Sequence, residues 1–211
     1  KAWIVRENDK KNEPTSYKNY PNPEAEAVTF YLNGGAPKVG GLSLNKSSSK
    51  AKETLVDNYS FSAETLAQAG YTNHRLLYVT PILKENIHIS GLSSITIKAA
   101  SSKAAVNLSV YLVSLPWNKD RIVKITDNII TRGWADLQNH KSLTESKPLK
   151  PGKFYKMTFD FQPDDQIIKK GQQIGLMIFS SDNNYTLLPE PGTELTVNLK
   201  GTTITIPIVG G

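Results

Sequence analysis

From Arg75 to the C-terminus, apolar and polar side chains recur with a period of two in short runs. These are residues 76–80, 86–90, 94–99, 105–113, 122–130, 155–161, 173–179, 195–199 and 202–207. Pro, Gly, Asn and Asp separate most of them, as turns between strands require. Ile95-Thr96-Ile97-Lys98 and Val106-Asn107-Leu108-Ser109-Val110 alternate strictly, the pattern of a strand with one buried face. Eight or nine strands at this spacing predict an all-β sandwich or barrel. A parallel α/β sheet would need helical crossovers between its strands, and none is written here. The pattern is read as a two-sheet jelly roll.

The first third is less regular. Residues 8–23 hold Pro14, Pro21 and Pro23 among polar residues and read as loop, and residues 40–52, with Ser47-Ser48-Ser49, read as a second loop. Ala27-Val28-Thr29-Phe30-Tyr31-Leu32 reads as a strand stopped by Asn33-Gly34-Gly35. Ser62 can cap a helix over residues 63–69, with Gly70 just past its end; it is the one convincing helix. The expected organisation is an irregular leading segment, 1–74, belonging to the same domain as a jelly-roll sandwich over 75–211.

Composition narrows the function classes. No apolar stretch approaches the ~18 residues of a bilayer span, and the first residues carry charges where a signal peptide is apolar, so no membrane role is expected. The absence of cysteine removes disulfides, thiolate nucleophiles and Cys-based zinc sites, and favours a cytoplasmic setting. The net charge of +6 is spread along the chain. Its densest run, Lys147, Lys150, Lys153 and Lys156, sits in a Pro/Gly-rich turn and is offset by Asp160, Asp164 and Asp165, so no nucleic acid partner is expected.

Candidate chemistry is sparse. A hydrolase nucleophile elbow, Gly-x-Ser-x-Gly, is absent; Gly41-Leu42-Ser43-Leu44-Asn45 and Gly91-Leu92-Ser93-Ser94-Ile95 lack the second glycine. Alternation points His88 opposite Ile87 and Ile89, which reads as a solvent-facing strand position. His74 and His140 have no second histidine at metal-site spacing. Asp164-Asp165 reads as a solvated turn, and Asp182-Asn183-Asn184 as a polar turn without a full calcium ligand set. Trp117, Trp134 and Tyr185 could stack on sugar rings, but core-edge or interface packing is the better account of large aromatics. No catalytic residue, metal ligand or cofactor site is assigned.

Ile130-Thr131-Arg132-Gly133-Trp134-Ala135-Asp136-Leu137-Gln138-Asn139 resembles the C-terminal domain of Xaa-Pro dipeptidyl-peptidases, serine peptidases that remove X-Pro dipeptides from peptide N-termini. The resemblance continues through Leu149-Lys150-Pro151-Gly152-Lys153-Phe154-Tyr155, Phe161-Gln162-Pro163 and Gly171-Gln172-Gln173-Ile174-Gly175-Leu176-Met177-Ile178. It closes with Ser180-Ser181-Asp182, Gly192-Thr193-Glu194-Leu195 and the strand from Ile204 to Ile208. The same order of motifs recurs in related cocaine-esterase hydrolases. Over 1–74 it is weaker, with Trp3-Ile4-Val5-Arg6-Glu7-Asn8 similar to the leading strand.

The resemblance implies a jelly-roll appendage of galactose-binding-domain type. Its partner would be an α/β-hydrolase domain lying N-terminal to it, which holds the catalytic Ser, Asp and His. No family catalytic motif falls on this chain, and a homodimer of the parent enzyme stays open. Lys1, in place of an initiator Met, is then expected to be the cut end of a larger enzyme. Arg132 and Trp134, expected in a loop after a strand, are the interface candidates, since Arg and Trp are typical interface anchors. Against this stand packing of both within the domain, and a different class of function, a free-standing carbohydrate-binding sandwich.

Overall fold

The computed structural model describes residues 1–6, 14–46, 51–117, 128–189 and 191–210. Within them the chain forms β1 (Ala2–Val5), β2 (Pro14–Tyr17), β3 (Ala25–Asn33), β4 (Gly40–Ser43), β5 (Lys52–Val56) and α1 (Ala63–Gln68). There follow β6 (Leu76–Val79), β7 (Ile87–Gly91), β8 (Ser94–Ser101), β9 (Asn107–Leu115) and β10 (Ile129–Asp136). The last five strands are β11 (Tyr155–Asp160), β12 (Asp164–Ile168), β13 (Gln173–Phe179), β14 (Glu194–Asn198) and β15 (Thr203–Val209). β1 and β2 make a separate hairpin. The other strands join in the order β10-β9-β13-β6-β4-β3-β15-β8-β14-β5, with β11 on β8 and β7 linking β12 to β15.

Alternation builds the core. Leu108, Val110 and Leu112 of β9, and Ile174, Leu176 and Ile178 of β13, lie in one cluster with Ile95 and Ile97 of β8, Leu195 and Val197 of β14, and Ile204 and Ile206 of β15. Strands far apart in the sheet order thus share a single interior, the arrangement of a β-sandwich. Pairing is antiparallel except between β4 and β6, so the sheet is mixed. Gly40 makes that parallel contact practicable: a Cβ there would sit 2.5 Å from Cδ1 of the buried Tyr78.

The leading segment holds more structure than its composition suggested. β2 lies inside the stretch read as loop, and Pro14, as its first residue, leaves no ladder donor missing. β4 and β5 fall in and beside the second expected loop, while Ser47, Ser48 and Ser49 lie outside the described residues. These short strands take their order from distant partners, β4 from β3 and β6, β5 from β14, so local propensity carries little of the signal. The expected strand over 122–130 lies mostly outside the described residues, and β10 runs on through Arg132 and Trp134 to Asp136. A strand not expected at all, β12, contains Asp164 and Asp165.

The helix forms as its cap predicts, with Ser62 Oγ accepting the Thr65 N–H at 3.1 Å. Its Ala63, Leu66 and Ala67 cover the outer face of β6, β9 and β13, where Leu77, Tyr111, Val113, Met177 and Phe179 form a second buried cluster. Arg75 fastens this layer. It is fully buried and donates from Nε to Leu66 O, from Nη2 to Ala69 O, and from Nη1 to Pro37 O and Lys38 O at 2.7 Å each. Burial lowers its pKa to about 10, still far above neutrality. Replacing Arg75 by Met should leave four carbonyl oxygens without this donor and cost on the order of 3 kcal/mol in a urea unfolding curve; a loss below about 1 kcal/mol would show that water replaces it at no penalty.

Candidate docking site

The outer face of β9 and β10 carries the two interface candidates. Arg132 is the cross-strand partner of Tyr111, and Trp134 that of Ser109, so the strand pairing sets both side chains on the face that α1 covers further along. Gly133 lies between them because the chain at Asp160 and Phe161 crowds β10: a Cβ would meet Phe161 Cδ1 at 2.6 Å. The Arg132 guanidinium lies 4.4 Å from the Tyr185 ring centroid, 5.4 Å from that of Trp134 and 5.8 Å from that of Tyr111. Trp134 and Tyr185 pack ring to ring at 4.8 Å. The rings hold the cation in place. Its Nε donates to Gln162 Oε1 at 3.3 Å, and no carboxylate among the described residues forms a salt bridge with it.

A buried carboxylate supports the cage from below. Asp182 is 1% exposed and accepts from the Tyr111 hydroxyl at 2.5 Å and the Trp134 indole N–H at 3.0 Å, both on Oδ2. Burial first, and the hydrogen bond to Asp182 second, push the Tyr111 hydroxyl far above its ordinary pKa, so it stays a donor at any physiological pH. Asp57 in turn accepts from the Ser181 N–H at 2.8 Å and its hydroxyl at 2.7 Å, fixing the turn that carries Asp182. Beyond the cage the surface is apolar and open: Tyr185 is 53% exposed, Leu187 86% and Leu188 49%. The Leu187 carbonyl accepts from Asn107 Nδ2 at 2.8 Å, which ties this edge to the start of β9.

A second buried carboxylate lies on β12. Asp165 Oδ1 accepts from Arg6 Nε at 3.0 Å and His88 Nε2 at 2.9 Å, and Oδ2 from the Ser90 hydroxyl at 2.8 Å. Arg6 Nη2 also donates to the Tyr17 hydroxyl at 2.5 Å. Burial alone would raise the Asp165 pKa; the hydrogen bonds from His88, Tyr17 and Ser90 outweigh it and hold the carboxyl below the ordinary aspartate value. Serine and histidine both point at the carboxylate and not at each other, so the trio lacks the relay a serine nucleophile requires.

Several sequence expectations change here. Arg132 and Trp134 are neighbours on a strand, not in a loop, because β10 continues its ladder with β9 through residue 136. His88 does not face solvent: Asp165 of β12, the cross-strand partner of Ser90 and so diagonal to His88 on the same face, draws it into an ion-pair geometry. Asp164-Asp165 is a strand start with Asp165 buried, not a solvated turn. Asp182 turns inward to hold aromatic donors, a role that no spacing rule announces. Trp134 spends its indole N–H on Asp182 and packs a ring face near Tyr185, which leaves little of it for a sugar. His74 donates or accepts through Nδ1 at Val56 O, stacks on Phe61 and lines a hollow of about 490 Å³ with no second catalytic group. His140 packs against Tyr155. No cluster of three metal-ligating side chains occurs among the described residues, and no described helix is long and apolar enough to cross a membrane.

The described residues form a β-sandwich with buried polar anchors and an aromatic-caged arginine, and no relay of nucleophile and base occurs among them. The chain belongs to the X-Pro dipeptidyl-peptidase C-terminal non-catalytic domain family, whose pattern it matches over residues 1–210. A Rhodopirellula baltica protein named "Putative Xaa-Pro dipeptidyl-peptidase" is 58% identical over 211 residues, all of this chain and 34% of that relative. The chain therefore spans about a third of that relative's length. Among solved structures, an aminopeptidase from a marine sediment Thaumarchaeota archaeon superposes with a TM-score of 0.77 at 15% identity, covering 99% of this chain and 40% of that one. A CocE/NonD family hydrolase from Staphylococcus aureus gives 0.69 at 13%, covering 98% and 40%. Those two likenesses show the fold.

The Asp165 cluster sets a pH dependence. A carboxyl whose folded pKa lies below its unfolded value of about 4 contributes stability that is complete above that value and is lost as pH falls through the folded pKa. Asp165→Asn should cost on the order of 3 kcal/mol at pH 7 by leaving Arg6 facing a neutral amide. The difference between wild type and variant should narrow as unfolding is repeated at pH 5, 4 and 3. A difference constant down to pH 3 would contradict this assignment.

Proposed function

We propose that this chain is the accessory module of a serine Xaa-Pro dipeptidyl-peptidase, the parent removing X-Pro dipeptides from peptide N-termini in the cytoplasm. The module docks on the parent's α/β-hydrolase portion through the Arg132, Trp134 and Tyr185 surface. There it supports the stability of that portion and the shape of its cleft. The relatives' names and the family's description support the parent activity, and the family's non-catalytic character agrees with the missing nucleophile elbow.

The observation that carries the docking surface is the state of Arg132. A guanidinium held against three rings, with no carboxylate salt-bridge partner among the described residues and with Tyr185, Leu187 and Leu188 exposed beside the cage, is a preorganised anchor. Its planar donors stay available for a carboxylate or carbonyl group across an interface. Contacts between domains of one chain typically bury roughly 600–1,500 Å², and the apolar rim beside the cage supplies the start of such a patch.

In the whole protein, Trp134→Ala should remove both the stacking and the Asp182 bond, weaken docking, and lower the melting temperature and kcat/KM on an X-Pro chromogenic substrate. Arg132→Ala, which leaves Asp182 with both its donors, should cost about 2 kcal/mol of docking. Unchanged kinetics and melting in both variants would refute the surface. Turnover of that substrate by the 211-residue chain itself would refute the non-catalytic reading.

A further inference from the structure

The N-terminal hairpin has two unlike faces. Cross-strand pairing sets Ala2 against Tyr17 and Ile4 against Thr15 on one side, and Trp3 against Ser16 and Val5 against Pro14 on the other. The first side is half-buried, and Arg6 at its end reaches the buried Asp165. The second side is open and largely apolar, with Trp3 67% and Val5 52% exposed and Pro14 and Ser16 exposed beside them. An isolated two-stranded hairpin is marginal in water, and this one pairs with no other strand of the sandwich. Nothing within the described residues covers its apolar side, yet the Asp165 cluster fixes the direction in which that side points.

We infer that the Trp3, Val5 and Pro14 face is a second docking surface, and that its occupant is the hydrolase portion of the same polypeptide. This rests on the accessory-module reading above. The family is defined as a C-terminal domain and the Rhodopirellula relative is about three times this length, so in such a protein most of the polypeptide precedes this hairpin. The hairpin is thus the first element that meets the preceding portion.

The hairpin is also linked to the Arg132 strand through one segment. Gln162, which accepts from Arg132, and Asp165, which accepts from Arg6, lie three residues apart on one segment. Gly91 pairs with Asp164 on that segment, and Leu92 next to it is 43% exposed. The segment from Gln162 to Asp165 therefore holds both the caged arginine and the hairpin's Arg6.

Hydroxyl-radical footprinting of the whole protein tests this directly, because an indole two-thirds exposed is otherwise among the most readily oxidised side chains. Trp3 should be oxidised at least tenfold more slowly than in the urea-unfolded protein. Trp3→Lys should lower the melting temperature of the whole protein by a few degrees and raise labelling of Tyr17, while Trp3→Phe behaves as wild type. Trp3 labelled at the rate of an exposed indole, with Trp3→Lys melting as wild type, overturns the inference. If the Arg132 and Trp134 variants still weaken docking in that case, the accessory-module reading survives and only the hairpin surface falls. Protection of Trp3 that appears only at high protein concentration would assign the face to a second copy of the chain and also overturn it.

Discussion

The burial of β9 and β13 on both faces is the constraint from which the remaining architecture follows. On one side their Leu108, Val110, Leu112, Ile174, Leu176 and Ile178 enter the sandwich core; on the other, Tyr111, Val113, Met177 and Phe179 would face water if the sheet ended there. A strand pair apolar on both sides must be covered twice. α1 covers one end of the outer face, and Trp134 packs against the other. The proposed docking surface is therefore the edge of a second, smaller core, continuous with residues whose first duty is packing.

Each cover is held by a buried charge that reaches a different peripheral element. Arg75 gathers the carbonyls at the end of α1 and those of Pro37 and Lys38; Asp182 gathers the donors of Tyr111 and Trp134; Asp165 gathers Arg6, His88 and Ser90. A buried charge is a poor source of net stability compared with a hydrophobic replacement, but it tolerates few alternative arrangements once its partners are in place. Here the charges fix where surface pieces sit, which is what an interface requires: the aromatic cage and the hairpin are both oriented by a carboxylate lying beneath or beside them.

Legibility in the sequence followed the range of the interactions. Apart from the run over 122–130, which lies mostly outside the described residues, the expected strands from Leu76 onward and the capped helix at Ser62 are written locally, in alternation and in a side-chain cap, and stand. β2, β4, β5 and β12 are short and depend on partners far along the chain, so Pro14, Gly40 and Asp164 carried misleading loop signals. Alternation identified the side of the strand on which His88 lies but not what covers that side. A polar residue opposite two isoleucines meets solvent only if nothing packs there, and here Asp165 does. Arg132 and Trp134 were visible as residue types suited to an interface. The cage was not, since it combines β10 with Tyr111 of β9 and with Tyr185, fifty-one positions after Trp134, where alternation aligns nothing.

The absence of a nucleophile elbow from this sequence and the geometry of its polar clusters are one physical statement. A catalytic serine must be exposed at a strained turn with a base within reach, which requires the fold to leave polar groups partly unsatisfied until substrate arrives. In this domain the clusters around Asp182, Asp57 and Asp165 are closed: the carboxylates have their donors, and Ser90, Ser181 and His88 spend their hydrogen bonds on them. Arg132 forms no salt bridge among the described residues, and a caged guanidinium, always protonated, is suited to binding and not to proton transfer, which is why the proposed docking role rests on it.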